Sequence, residues 1–211
     1  MLLSRRPPLL LCARTDEQLV AAFRGGDEAA FDAMTERYRD RLLAYARHML
    51  RARGQAAAED VVQDVLLRAY RALRADSRPM ALRAWLYRIA HNRCLDELRG
   101  ERPSAELLDE EVPGSQADPA AEFGRRERLR ELVGDIRSLP DQQRSALVIR
   151  ELDGLSYAEL AEALDTTVPA VKSLLVRARM NLATAAEERE AAAAAQVGAS
   201  ARSTSVAIAS A

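Results

Sequence analysis

The sequence predicts an all-α fold: two small helical domains joined by a flexible acidic linker, the second containing a helix-turn-helix. Three observations point there. Hydrophobic residues make up 48% of the 211 but aromatics only 4%, so the cores are built of Leu, Ala and Val, a mix rich in side chains that lose little rotamer freedom in helices. Apolar positions recur at three and four, the helical period, and no strand-length β-branched run occurs. A stretch rich in Pro, Gly, Ser and acids, without sustained period, separates two periodic blocks.

Residues 1–14 read as a disordered leader. A charged start and Leu9–Ala13 suggest a signal peptide, but that apolar run is too short and no small-x-small cleavage site follows. The first domain is expected over 15–102. A short helix beginning near Asp16 carries Leu19, Val20 and Phe23 on one face and stops at Gly25-Gly26. Asp27 is a plausible N-cap for a long helix with Ala30, Phe31, Met34, Tyr38, Leu42, Tyr45, Ala46 and Met49 as its stripe, broken by Gly54. The third helix, about Ala57–Arg74, buries Val62, Val65, Leu66, Ala69 and Leu73. Asp60, Gln63, Asp64, Leu67 and Arg71 fall outside that stripe. Asp76–Pro79 reads as a loop, since Pro79 pushes Arg78 out of the α region. The fourth helix, about Ala81–Arg99, turns Leu82, Leu86, Ile89, Ala90, Cys94 and Leu98 inward, with Trp85 expected in the core.

Residues 103–122 form the expected linker, with Glu106, Asp109, Glu110, Glu111, Asp118 and Glu122 and no base. The second domain is expected over 123–186. Leu129, Leu132, Val133 and Ile136 form one stripe, Pro140 opens the next helix, and Asp153-Gly154 makes a turn. Ser156 with Glu159 then forms a capping box. Leu160, Ala161 and Leu164 pack inward, Asp165-Thr166 turns the chain, and Thr167 caps a second helix with Pro169 in its first turn. Val171, Leu174, Leu175, Ala178 and Leu182 face its core. Pro169, Lys172, Ser173, Val176, Arg177 and Met180 face out, an acid-free basic surface of the kind that enters the major groove. An ordinary amphipathic hairpin with a solvated basic face has the same periodicity. Residues 187–211 are an Ala-rich, then Ser/Thr-rich, tail, expected to be disordered beyond Gly198.

Other chemistries find little support. Net charge is −1, and no run of 18 apolar residues marks a membrane span, so no membrane insertion is expected. Cys12, Cys94, His48 and His91 have no zinc spacing. No nucleophile motif, paired catalytic carboxylates or metal cluster is present, so neither enzymatic activity nor a cofactor or metal is expected.

Four segments of the chain carry a family resemblance. GLSYAELAEAL with PAVKSLLVRAR, preceded by SLPDQQRSALVIREL, resembles the region of extracytoplasmic-function (ECF) sigma factors that reads the minus-thirty-five promoter element. AEDVVQDVLLRAYRAL resembles their segment that docks on the clamp helices of the largest RNA polymerase subunit, and LRAWLYRIAHNRCLDELRGERP the segment that melts and reads the minus-ten element. DEQLVAAFRGGDEAAFDAMTERY is similar to the family's opening helices. The match runs from residue 15 to 183.

The resemblance implies roles by position. Asp60, Gln63, Asp64 and Leu67 would meet core RNA polymerase. Asp76, Ser77 and Arg78 would lie in the loop that holds an extruded base, Asn92 would read a base edge, and Arg88, Arg93 and Arg99 would contact phosphates. Tyr87 and Trp85 are candidate stacking platforms, with Trp85 better read as core. Thr167, Pro169, Ala170, Lys172, Ser173, Val176 and Arg177 would meet the minus-thirty-five duplex. The implied partners are core polymerase at its clamp helices and flap, promoter DNA and an anti-sigma factor, in the cytoplasm; the linker is expected to lie in the polymerase's RNA path. The sequence departs from the family at Asp165, where Gly is usual, at Pro169-Ala170, where Gly-Thr is usual, and at Asp76, where an aromatic is often seen. These changes bear on promoter preference. A stand-alone helix-turn-helix regulator that needs no polymerase is the alternative.

Overall fold

A computed structural model describes residues 11, 13–50, 53–76, 78–100 and 119–209, with side chains described only over 124–192 of the last span. The described residues contain helices and no strand. The elements are α1 (Asp16–Arg24), α2 (Glu28–Leu50), α3 (Gly54–Ala75), α4 (Leu82–Arg99), α5 (Pro119–Ser138), α6 (Asp141–Asp153), α7 (Tyr157–Ala163) and α8 (Val168–Ala209). They fall into two compact units. The first gathers α1–α4 with α6, α7 and α8 up to Leu175, and the second holds α5 and the rest of α8.

Local chemistry sets the helix ends. Thr15 starts α1 with a capping box: its hydroxyl accepts from Gln18 N–H, and Gln18 Oε1 accepts from Thr15 N–H at 3.0 Å. Asp27 Oδ1 accepts from Ala29 N–H at 3.2 Å, as a cap for α2 should. Gly54, at φ +82, opens α3 three residues before the expected start. Gly154 ends α6 in the left-handed region at φ +63.

In the first unit, α2 is the spine. Ala30, Met34, Tyr38, Leu42, Tyr45, Ala46 and Met49 are buried as its stripe requires, while Phe31 is only half covered. Leu19 and Phe23 of α1, Val61, Val65 and Leu73 of α3, and Leu82, Leu86, Tyr87 and Cys94 of α4 close on it. Each Leu, Val or Phe so buried contributes ~1.5–3 kcal/mol. α6 and α7 add Ser145, Ala146, Ile149, Leu160 and Ala163 to the same buried volume. In the second unit, Arg189 on α8 pairs with Asp135 on α5 at 2.8 Å.

Several expectations change. Tyr87 is buried on α4, so it cannot serve as a stacking platform as it stands, whereas Trp85, Ile89, Leu66 and Leu98 are half-exposed rather than core. The 3.6-residue period identifies a face but not its width. The α5 stripe is not a buried one: Leu129 and Leu132 are exposed. α5 also begins inside the expected linker, where Pro119 suits a first helical turn and Ala120 and Ala121 favour propagation. The rest of the linker and the leader up to residue 10 lie outside the described residues. Finally, α8 runs to Ala209 rather than fraying at Gly198, because its Ala-rich sequence costs least to hold helical.

Candidate nucleic-acid interface

Three surfaces carry the predicted site residues. On α3, Asp60, Gln63 and Leu67 share an exposed face, and Leu67 is 42% accessible despite being apolar. Asp64 is drawn away from that face. Its Oδ2 receives Arg68 Nε at 3.0 Å and Arg93 Nε of α4 at 3.1 Å. Arg93 also meets Glu97 at 3.3 Å. Two carboxylates therefore already neutralise a side chain expected to bind phosphate.

The α3–α4 connection is a built turn. Asp76 Oδ1 accepts from Arg78 N–H at 2.9 Å, and Oδ2 accepts from Arg78 Nε at 2.7 Å. These hydrogen bonds hold the Asp76 carboxyl below its usual range. Arg24, the last residue of α1, donates to the Arg78 carbonyl oxygen at 2.9 Å and so anchors the turn from outside. Ser77 lies outside the described residues. One face of α4 then presents Arg88, half-exposed, and Asn92, fully open, one turn apart. Arg99 is exposed near Asp96 at 3.9 Å.

The helix-turn-helix closes as its residues dictate. Ser156 N–H donates to Glu159 Oε2 at 2.8 Å, and Glu159 N–H donates to Ser156 Oγ at 3.2 Å. Burial pushes the Glu159 carboxyl up, but hydrogen bonds from Arg83 and Ser156 outweigh it and leave it lowered. Asp165 takes φ +50 at the turn, and Thr166 N–H closes it onto the Ala161 carbonyl at 2.9 Å. Thr167 Oγ1 accepts from Ala170 N–H at 3.4 Å as a weak cap. Val171 and Leu175 are buried, Leu174 is half-covered, and Pro169 and Lys172 are exposed while Ala170 and Ser173 are half-covered. The Lys172 ammonium sits 5.6 Å from the Tyr157 ring centroid, and Arg150 sits 5.3 Å from the same ring. In the second unit the same helix exposes Val176 (55%), Arg177 and Met180 (63%), with Ala178 buried.

Sequence reasoning missed Tyr157, Arg24 and Arg83. Tyr157 was visible only as the first residue of a short helix, and neither arginine carries a local signal of its partner. Among the described residues no His, Cys, Asp and Glu group is arranged to hold a metal, and no helix is long and apolar enough to cross a membrane.

Comparison with known proteins gives this geometry a family. The Sigma-70 region 2 family matches residues 34–103, and the Sigma-70 region 4 family matches residues 130–182. The ECF RNA polymerase sigma-E factor of Escherichia coli is 35% identical over 176 residues, covering 78% of this chain and 91% of that protein. The RNA polymerase sigma-H factor of Pseudomonas aeruginosa is 33% identical over 181 residues, covering 81% and 93%. The chain belongs to the ECF sigma factors of the sigma-70 family.

The ECF sigma factor SigG of Mycobacterium tuberculosis is 37% identical over 179 residues, and this sigma factor spans about half of its length (48%). Among solved structures, CnrH in complex with the cytosolic domain of CnrY is similar at TM-score 0.62 and 27% identity, covering 82% of this chain and 97% of CnrH. The sigma factor RpoE of Bartonella quintana, solved with the anti-sigma factor NepR, shares the fold at TM-score 0.53 and 20% identity. On this sigma factor, Asp60, Gln63, Asp64 and Leu67 and the α4 residues Arg88, Asn92, Arg93 and Arg99 fall in region 2, and Thr167 through Arg177 fall in region 4.

Proposed function

We propose that this sigma factor binds core RNA polymerase and directs promoter recognition and strand opening, with no covalent chemistry of its own. The observation that carries the reading is the succession of a region 2 and a region 4 in one chain. Asp60 and Gln63 form an exposed polar edge beside the apolar Leu67, a surface suited to a basic coiled coil on the polymerase. Asp76, Ser77 and Arg78 form the loop for an extruded base, Asn92 offers a paired donor and acceptor to a base edge, and Arg88, with Arg99, meets backbone phosphates. Thr167, Pro169, Ala170, Lys172, Ser173, Val176 and Arg177 enter the upstream major groove. Extrusion of a base costs a few kcal/mol, which the loop contacts must offset.

CnrH and RpoE were each solved with a protein bound, NepR being an anti-sigma factor. A protein inhibitor of the anti-sigma class is therefore proposed as a partner here too, with the cytoplasm as the place of action. The test is reconstituted transcription with core polymerase on a genomic fragment library, sequencing the transcript starts. New starts that need both core and this chain support the proposal. Specific duplex binding without core, and no change in starts, would sink it in favour of a stand-alone regulator.

A further inference from the structure

Asp76 and Arg78 follow the last turn of α3, where no helical ladder fixes the backbone. Their own pairing shapes the turn. Asp76 accepts from Arg78 N–H at 2.9 Å and from the Arg78 guanidinium at 2.7 and 2.6 Å. A lock between residues two apart gives the turn a form but does not orient it on the domain. The orientation comes from α1, 54 residues earlier, where the half-buried Arg24 donates to the Arg78 carbonyl oxygen at 2.9 Å. Pro79 already bars Arg78 from the α region, so a single bond to that carbonyl settles the direction of the peptide. Arg24 also reaches Asp76 through space. After the Arg78 hydrogen bonds, its positive charge helps to hold the Asp76 carboxyl low.

The same corner of the fold holds the end of α3 that feeds the turn. Phe23 of α1, Phe31 of α2 and Tyr70 of α3 form a three-ring cluster with centroids 5.1 to 5.2 Å apart. The Tyr70 hydroxyl donates to Glu28 at the start of α2 at 3.1 Å, and Arg74 donates to Glu28 at 3.0 Å. The helix end and the turn after it are therefore referred to one support, the α1–α2 corner. The rings and Glu28 hold the helix end, whereas Arg24 holds the turn.

We infer that Arg24 is a positioning residue for recognition of the extruded base: it acts through Arg78 and Asp76, fixing the turn in the form that receives the base. Ordering backbone has an entropic cost. Where Arg24 meets that cost on folding, capture of a base does not have to meet it again. Rigidity also gives selectivity. A wrong base leaves the polar groups of a fixed turn unpaired, while a turn free to shift finds them new partners. The inference rests on the reading of Asp76 and Arg78 as base-holding residues.

The test uses the full chain assembled with core polymerase. Fluorescent single-stranded oligonucleotides carry the non-template minus-ten sequence with each of the four bases at the extruded position, so duplex melting does not enter. The quantity read is the ratio of the tightest to the weakest affinity, in which any general loss of folded protein cancels. Arg24→Met keeps an apolar stem and removes the donors and the charge. It is expected to lower the ratio about fivefold, or ~1 kcal/mol at ~1.4 kcal/mol per tenfold, with the loss falling on the preferred base. Arg24→Lys, which restores a donor and the charge, should recover most of the ratio. An unchanged ratio in Arg24→Met, including equal weakening on all four bases, overturns the inference, as does a Lys variant no better than the Met variant. Asp76→Ala separates this failure from failure of the underlying reading. A ratio lost in Asp76→Ala but kept in Arg24→Met overturns the role of Arg24 alone, whereas a ratio that survives Asp76→Ala, or a parent with no preference, overturns the base-holding reading itself.

Discussion

The Asp64 carboxylate receives Arg93 Nε at 3.1 Å and so ties α3, the helix proposed to meet polymerase, to α4, the helix proposed to meet the opened strand. Asp60, one turn earlier, is exposed and makes no such link. The two acids should therefore separate by assay. Asp60→Ala is expected to weaken association with core while leaving the urea midpoint unchanged. Asp64→Ala should lower stability as well, by about 0.5–1 kcal/mol, because its pairs are partly solvent-exposed. Equal urea midpoints for the two variants would show that the bridge carries no energy.

Lys172 and Arg177 should act through charge on region-4 DNA binding. Each phosphate contact removed lowers the slope of log affinity against log salt by about 1. Lys172→Ala and Arg177→Ala are each expected to flatten the salt dependence of binding to a minus-thirty-five duplex by about that amount, or to relax base preference if they touch base edges. Tyr157→Ala should do less, since it frees the Lys172 ammonium without removing it. Electrophoretic titration across a salt series distinguishes the three.

Asp165 occupies the left-handed region at φ +50, where Asp is tolerated and β-branched residues are not. Asp165→Val is expected to destabilise the helix-turn-helix by about 1–2 kcal/mol, and Asp165→Gly to stay within about 0.5 kcal/mol of the parent. Thermal denaturation monitored by circular dichroism reads both. Equal stability of the Val and Gly variants would remove the backbone argument.

Which features were legible in the sequence follows from the range of the interactions that make them. The Ser156–Glu159 capping box, the Asp165 turn and the buried Val171–Leu175–Ala178 stripe arise within a few residues, so spacing alone placed them. Tyr45, His91 and Ser145 are separated by 46 to 100 residues, and no local pattern marks their meeting. For the same reason the sequence alone does not separate buried Tyr87 from half-exposed Trp85. Periodicity places both near one edge of the α4 stripe, and only the packing of α2 decides that Tyr87 is covered, its ring 5.6 Å from that of Tyr45. Arg93 was readable as a cation but not as one already held by Asp64 and Glu97.

His91 makes stability depend on pH in a window of its own. Burial disfavours its charged form, Arg99 adds to that, and Asp141 opposes it without prevailing, so its value is lowered. The groups around it, Tyr45 and Ser145, accept or donate without charge, and Tyr45 is held neutral by its own burial. An unfolded His titrates near ~6.5. As pH falls through that value the unfolded chain takes up a proton that the folded chain refuses, so stability is complete above ~6.5 and declines below it. Carboxylates with lowered values, Asp76 and Glu159, lose their contributions only near and below ~4, so the two windows do not overlap. Urea midpoints are therefore expected to fall between pH 7.5 and pH 5.5 in the parent. His91→Gln should flatten that interval even though it lowers the midpoint at both ends. A parent midpoint constant from pH 7.5 to 5.5 would mean that His91 charges freely in the folded chain, and the buried contact of His91 with Tyr45 and Ser145 would then lack the dry environment assigned to it.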